Sequence, residues 1–214
     1  MIKTLFQPSI RKMAVSLDLT SLIFLLAGPS AQATVFTIPQ FVEHKSWAIG
    51  FEPEATLSTA SPSGTGVAFN TKFTYGLSPI SNLQVGIGPG SGEKNFRLGG
   101  TYSIDWIPDL PGQIGAGGAI QAYYYNLRSS TAKTEFLAYP YLHKNFATSK
   151  GFDLDPFLAL PFGMSFTQGQ YFWTAQLAMG SYLRTSEHIG LNGELGLNLQ
   201  KTDSYLAFGV TYRD

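Results

Sequence analysis

The sequence predicts an all-β fold, a ten-stranded antiparallel up-and-down transmembrane β-barrel, and three observations predict it. Segment after segment alternates apolar with small or polar residues at period two, the pattern of a strand with one greasy face. Charged residues are 13% of the chain and aromatics 14%, with 23 glycines, whereas an average soluble domain carries about 25% charge. After Ala33 no apolar run reaches the about 20 residues that a spanning helix needs. A mature chain that crosses a membrane must then close on itself as a barrel, so that every backbone N–H and C=O finds a partner.

Residues 1–33 read as a secretory signal peptide. Lys3, Arg11 and Lys12 give a positive start, Leu19 to Ala27 an apolar run, and Ala31-Gln-Ala33 a small-residue cleavage site. Met13 is an alternative start, and an uncleaved anchor is the rival reading. Residues 34–45 form a periplasmic lead-in, and residues 46–213 the barrel. The first strand sets Trp47, Ile49, Phe51 and Pro53 against Ala48, Gly50, Glu52 and Glu54; the second sets Phe69, Phe73 and Tyr75 against Asn70, Lys72 and Thr74. The third follows the turn Ser78-Pro-Ile-Ser-Asn82. The fourth sets Phe96, Leu98, Tyr102 and Trp106 against Arg97, Gly99, Thr101 and Asp105. In the fifth, Ile120 and Tyr124 oppose Gln121 and Tyr123; in the sixth, Phe136 and Leu142 oppose Glu135, Tyr139 and His143. Leu154, Leu158 and Phe162 mark the seventh, Tyr171, Trp173 and Leu177 the eighth. The ninth, Ile189 to Leu199, puts five leucines and isoleucines on one face and Asn192 and Glu194 on the other. Leu206, Phe208, Val210 and Tyr212 mark the tenth. A strand of about ten residues, tilted, covers roughly the 25 Å of an outer-membrane apolar band. A soluble secreted barrel or sandwich binding protein is the alternative fold.

From about Trp47 to Tyr212 the chain resembles small bacterial outer-membrane β-barrel proteins, porin-like and ten-stranded. The resemblance lies in the strand pattern, in the turn Tyr75 to Asn82, and in an aromatic-rich last strand, here with Tyr212 two positions before the end. It implies an outer-membrane location, with membrane lipids and the outer-membrane assembly machinery as partners. It implies no particular activity, since such barrels include pores, enzymes, adhesins and anchors.

Function is sought on the polar face. Glu52, Lys72 and Glu194 fall near mid-strand, with Arg97 and Tyr139 on the same face, and form an expected constriction or plug. A first hairpin closing around Pro62 would set Glu52 opposite Lys72. Asp105, His143, Arg184 and Arg213, with Asp153 and Asp155, form the expected periplasmic rim of the lumen. Trp47, Tyr75, Trp106, Tyr171, Trp173 and Tyr212 form the expected aromatic girdles. The expected function is a narrow channel for small solutes or a lumen-plugged anchor. No cofactor, no metal and no catalytic residue is assigned. The alternative, an outer-membrane hydrolase of lipid or peptide, would draw on His44 and Ser46 beside each other on the first strand. A formal net charge of zero gives no electrostatic grip on nucleic acid, and the absence of cysteine excludes disulfides and thiolate zinc sites. Pro140, Pro156 and Pro161 fall inside strands six and seven. A β-bulge or splayed seam is expected there, with the Pro161 ring toward the lumen.

Overall fold

The computed structural model describes residues 42–57, 66–90, 94–127, 132–147 and 152–214. The expected signal peptide and most of the expected lead-in lie outside the described residues. The strands are β1 (Trp47–Thr56), β2 (Gly66–Ser78), β3 (Ser81–Pro89), β4 (Lys94–Ile107), β5 (Gly115–Leu127), β6 (Ala132–His143), β7 (Phe146–Ala147), β8 (Asp153–Ala159), β9 (Phe162–Thr167), β10 (Gln170–Arg184), β11 (Ile189–Gln200) and β12 (Tyr205–Arg213). Every pairing is antiparallel between neighbours, and β12 returns to pair with β1, so the sheet has no free edge. These pieces make ten barrel strands. β7 continues β6 in the same register: Phe146 pairs with Leu154 as Tyr141 pairs with Ala159. β8 and β9 are one strand interrupted at Leu160–Pro161.

Alternation sorts the side chains in two. Phe51 is 50% exposed, Ile120 63% and Trp173 61%, whereas Glu52 and Tyr139 are each 1% exposed. Large apolar side chains therefore face outward from every barrel strand, and the core of the molecule is its lumen. An apolar surface that encircles a protein is incompatible with water and suited to lipid.

Glycines on the inner face decide how that lumen fills. Tyr123 lies across Gly86 and Gly99, Tyr141 across Gly117, Tyr205 across Gly196 and Tyr182 across Gly190, each so close that a Cβ on the glycine would overlap the ring. A strand stripped of side chains lets a neighbour's tyrosine lean over it, so a barrel too wide for short residues is packed with large ones. Phe157 occupies the same kind of dent over Gly180.

The prolines do not produce the expected bulge. Ala138 pairs with Phe162 and Tyr141 with Ala159, so the register of the sixth and seventh strands is unbroken across Pro140 and Pro161. A proline removes a donor without adding a residue, and a bulge needs the extra residue. Register shifts occur elsewhere, at Asp105/Ile107 and Ala175/Gln176 among others. The Pro161 ring does face the lumen, fully buried.

Candidate functional site: the lumen

β1 and β2 present Glu52, Glu54, Asn70 and Lys72 to the interior. The first hairpin pairs Glu52 with Asn70 and Gly50 with Lys72, one inner-face step away from the expected register. The observed pairs are offset by two residues from those that a turn centred on Pro62 would give. Lys72 still reaches Glu52 diagonally, Nζ to Oε2 at 2.5 Å, and Asn192 on β11 donates to the other carboxylate oxygen at 2.8 Å. Arg97 on β4 spans two strands to meet Glu54, Nη2 to Oε2 at 2.6 Å. Gly88 on β3 pairs with Arg97 and Ala68 on β2 pairs with Glu54, so the inner-face residue beside each partner is small. The Tyr205 hydroxyl donates to Glu194. On the opposite wall Tyr139 is wholly buried among Ala119, Leu137, Tyr141 and Ala159. Near the far mouth Lys133 and Glu135 pair at 2.5 Å, with the ammonium over the Tyr125 ring.

Of the five residues singled out for the constriction, Glu52 and Lys72 are in direct contact. Arg97 and Glu194 lie elsewhere in the same packed interior with other partners, and Tyr139 is on the apolar wall. Sequence reasoning did not single out Glu54, Asn192, Tyr205 or the Lys133–Glu135 pair. The available signal was opposite charge on inner faces beside glycine or alanine. All these groups are buried, and every charge named has an opposite charge or a hydrogen-bond donor beside it, the condition for burying charge at tolerable cost.

The mouth at which β1 begins and β12 ends holds the rim residues. His143 stands between Asp105 on β4, Nε2 to Oδ2 at 3.1 Å, and Asp155 on β8, Nδ1 to Oδ1 at 3.3 Å. It leans over β5 at Gly115, where a Cβ would collide with the ring. Arg213 donates to the Tyr182 hydroxyl at 3.0 Å, and Arg184 lies 3.7 Å from Asp153. Just outside the strands, Lys144 grips the β4–β5 loop: it pairs with Asp109 and donates to the carbonyls of Leu110 and Gln113 at 2.8 Å each. Burial alone would raise the Asp109 carboxyl. The Lys144 ammonium and the Asn145 N–H outweigh it and hold the group below its ordinary value. Among the described residues no group of three or more His, Asp or Glu is arranged to hold a metal. His44 lies in the turn before β1, with Lys45 at φ 69°, and Ser46 also precedes the strand, so the two do not share a face of β1 as expected. The left-handed Lys45 turns the chain into β1 while its own N–H donates to the Gly76 carbonyl of β2 at 2.9 Å.

Trp47, Tyr75, Trp106 and Tyr212 lie toward the mouth at which β1 begins and β12 ends; Trp47 stacks on Phe73 and lies 5.9 Å from Tyr212. Tyr171 stands near the other mouth, paired with Phe166, and Trp173 one outward step deeper beside Met164.

No family model and no curated protein matches the chain. Solved structures do. An outer-membrane channel from Pseudomonas putida F1 is similar at TM-score 0.49 and 9% identity, over 84% of this chain and 100% of that one. The β-domain of a Bordetella autotransporter gives 0.46 at 11% identity, over 79% and 98%. De novo designed transmembrane β-barrels give 0.42 at 14% identity, over 82% and 100%. The fold is a closed transmembrane β-barrel. Its own apolar exterior carries that assignment, since no soluble protein encircles itself with exposed phenylalanine, leucine and tryptophan.

Proposed function

We propose that the protein is a bacterial outer-membrane barrel whose lumen is closed by its own side chains, serving as a rigid membrane scaffold without a reaction of its own. Membrane lipid and the assembly machinery are its partners, and the mouth at which β1 begins and β12 ends faces the periplasm. One observation carries the reading. Inner-face residues on both walls, from Glu52 and Glu54 to Tyr139, Tyr141, Gln176 and Ala207, are nearly inaccessible to a water-sized sphere. The wall of an aqueous pore would be exposed.

A narrow pore is the second reading. It is favoured by Gln121, a buried side chain with neither amide atom hydrogen-bonded among the described residues. Such a group calls for water. Conductance of the purified barrel in planar bilayers separates the two. The scaffold reading expects no current steps from the wild type and current from Glu52→Ala with Lys72→Ala, which removes the central pair. Wild-type steps of uniform size would establish the pore instead.

A further inference from the structure

The geometry points to a lateral path for a hydrocarbon chain, from the bilayer through the seam between β6 and β8–β9 into the lumen wall behind it. Three observations converge on this seam. First, its ladder is short of donors. Leu160 donates to Pro140 at 3.1 Å and Lys144 to Pro156 at 3.2 Å, and in both pairs the proline returns nothing. On the other side of the same strand Gln176 donates to Pro161 at 2.9 Å, again without a return bond. Each such antiparallel pair normally exchanges two bonds. Three half-bonded pairs therefore lie on one strand of a barrel whose stability rests on its ladders. At the seam's end the His143–Asp155 contact ties β6 to β8 by side chains, beside Pro156.

Second, the middle of the lumen behind the seam is lined by rings and small apolar side chains, with the His143–Asp105–Asp155 group toward one rim. Ala119, Leu137, Tyr139, Tyr141, Ala159 and Ala178 pack there, with Phe157 against them. A hydrocarbon entering at Ala159 would meet rings and methyl groups, whereas one entering between β1 and β2 would meet Glu52 and Lys72.

Third, the lipid-facing surface beside the seam is grooved. A hollow of about 540 Å³ has Gly100, Ala122 and Ala138 as its low points and Tyr102, Phe136 and Trp173 among its walls. Its edge at Leu137, Ala138, Phe162 and Gly163 is one residue pair from Tyr139 and Pro161. The groove is continuous with the lipid-facing belt, so the occupant in reach is an acyl chain of a bilayer lipid.

The chain has no cysteine, so single cysteines report access directly. Ala138→Cys lies in the groove, Ala159→Cys behind the seam, and Ala68→Cys on the opposite lumen wall. Each is folded into phosphatidylcholine vesicles and exposed to N-hexadecylmaleimide, which stays in the bilayer, or to a sulfonated, water-soluble maleimide. Ala138→Cys and Ala159→Cys are expected to react with the alkyl reagent, Ala68→Cys not, and Ala159→Cys to resist the soluble one. Restoring donors with Pro140→Val and Pro156→Val should slow reaction at Ala159→Cys about tenfold, the worth of one or two hydrogen bonds, and leave Ala138→Cys unchanged. Ala178→Cys, paired with Ala159, replaces any Ala159→Cys barrel that fails to fold. A cysteine behind the seam no more reactive than Ala68→Cys overturns the path, as does equal reaction with the soluble reagent or indifference to the restored donors. Reaction at Ala159→Cys without reaction at Ala138→Cys would reverse the faces and overturn the membrane reading itself.

Discussion

The lumen has two unlike walls. On β11, β12 and β1 to β4 the interior is held by Glu52–Lys72, Glu54–Arg97, Asn192–Glu52 and Tyr205–Glu194, all directional contacts between buried polar groups. On β5, β6 and β8 to β10 the middle is held by aromatic and small side chains, with charge toward the rims at Lys133–Glu135, His143–Asp155 and Arg184–Asp153. Backbone differs with side chain. Pro53 lies inside β1 on the first wall, where the β1–β12 pairing passes from Phe51–Val210 to Glu54–Ala207 with the pairs between missing, whereas three prolines, Pro140, Pro156 and Pro161, fall together on the second wall. Polar contacts need fixed geometry, whereas apolar packing is non-directional and tolerates a strand with several missing donors. A closed lumen can thus be rigid on one side and yielding on the other.

The comparison breaks most severely at Arg97. Arg97→Ala leaves Glu54 buried without its cation and should destabilise the barrel by about 3–5 kcal/mol, read by urea unfolding in vesicles. Arg97→Leu combined with Glu54→Leu should recover most of that loss, because the uncompensated charge goes with its partner. Next in size is the outer face. Leu195→Arg near mid-strand on β11 should cost about 2–4 kcal/mol, and Asn192→Ser, facing the lumen, less. If the arginine folded as well as wild type in bilayers, the two faces would be exchanged. Smaller again is Gly99→Ala, whose methyl overlaps the Tyr123 ring; overpacking of that kind costs about 1–3 kcal/mol. Tyr123→Phe would not relieve it, since the clash is with the ring and not the hydroxyl.

The smallest effect is the acid dependence of the Asp109–Lys144 clip. The folded Asp109 value is depressed, so its contribution is fully present above the unfolded carboxylate value, about 3.9, and is lost as pH falls through the folded value. Asp109→Asn should flatten that component of the acid unfolding curve and leave stability at higher pH free of this titration.

Much of this was readable beforehand because a strand's period of two is a local property. The outward set Phe51, Phe73, Leu98, Phe136 and Leu197 and the inward set Glu52, Lys72, Arg97, Tyr139 and Glu194 follow from parity alone. Register across a hairpin is not local in that sense. The midpoint of the β1–β2 connection could not be read to one residue, and Lys72 consequently pairs with Gly50. Arg97 and Glu54 were legible as inner-face residues, but their meeting depends on Gly88 and Ala68, the small residues paired beside them on two intervening strands. The prolines were legible as missing donors. The expected bulge was not there because donor loss and residue insertion are separate events. The tyrosine-over-glycine packing could have been found: Gly99 faces Tyr123 and Gly117 faces Tyr141 across adjacent strands.

The central claim, that the lumen excludes water, is tested most directly at Ala207. This residue is 0% exposed and faces Glu54 and Glu194 from β12. Ala207→Cys in the folded barrel should resist a small charged methanethiosulfonate for as long as the urea-unfolded chain needs to be modified completely. Modification of the folded barrel at a rate near that of the unfolded chain would mean a water-filled lumen and would contradict the account.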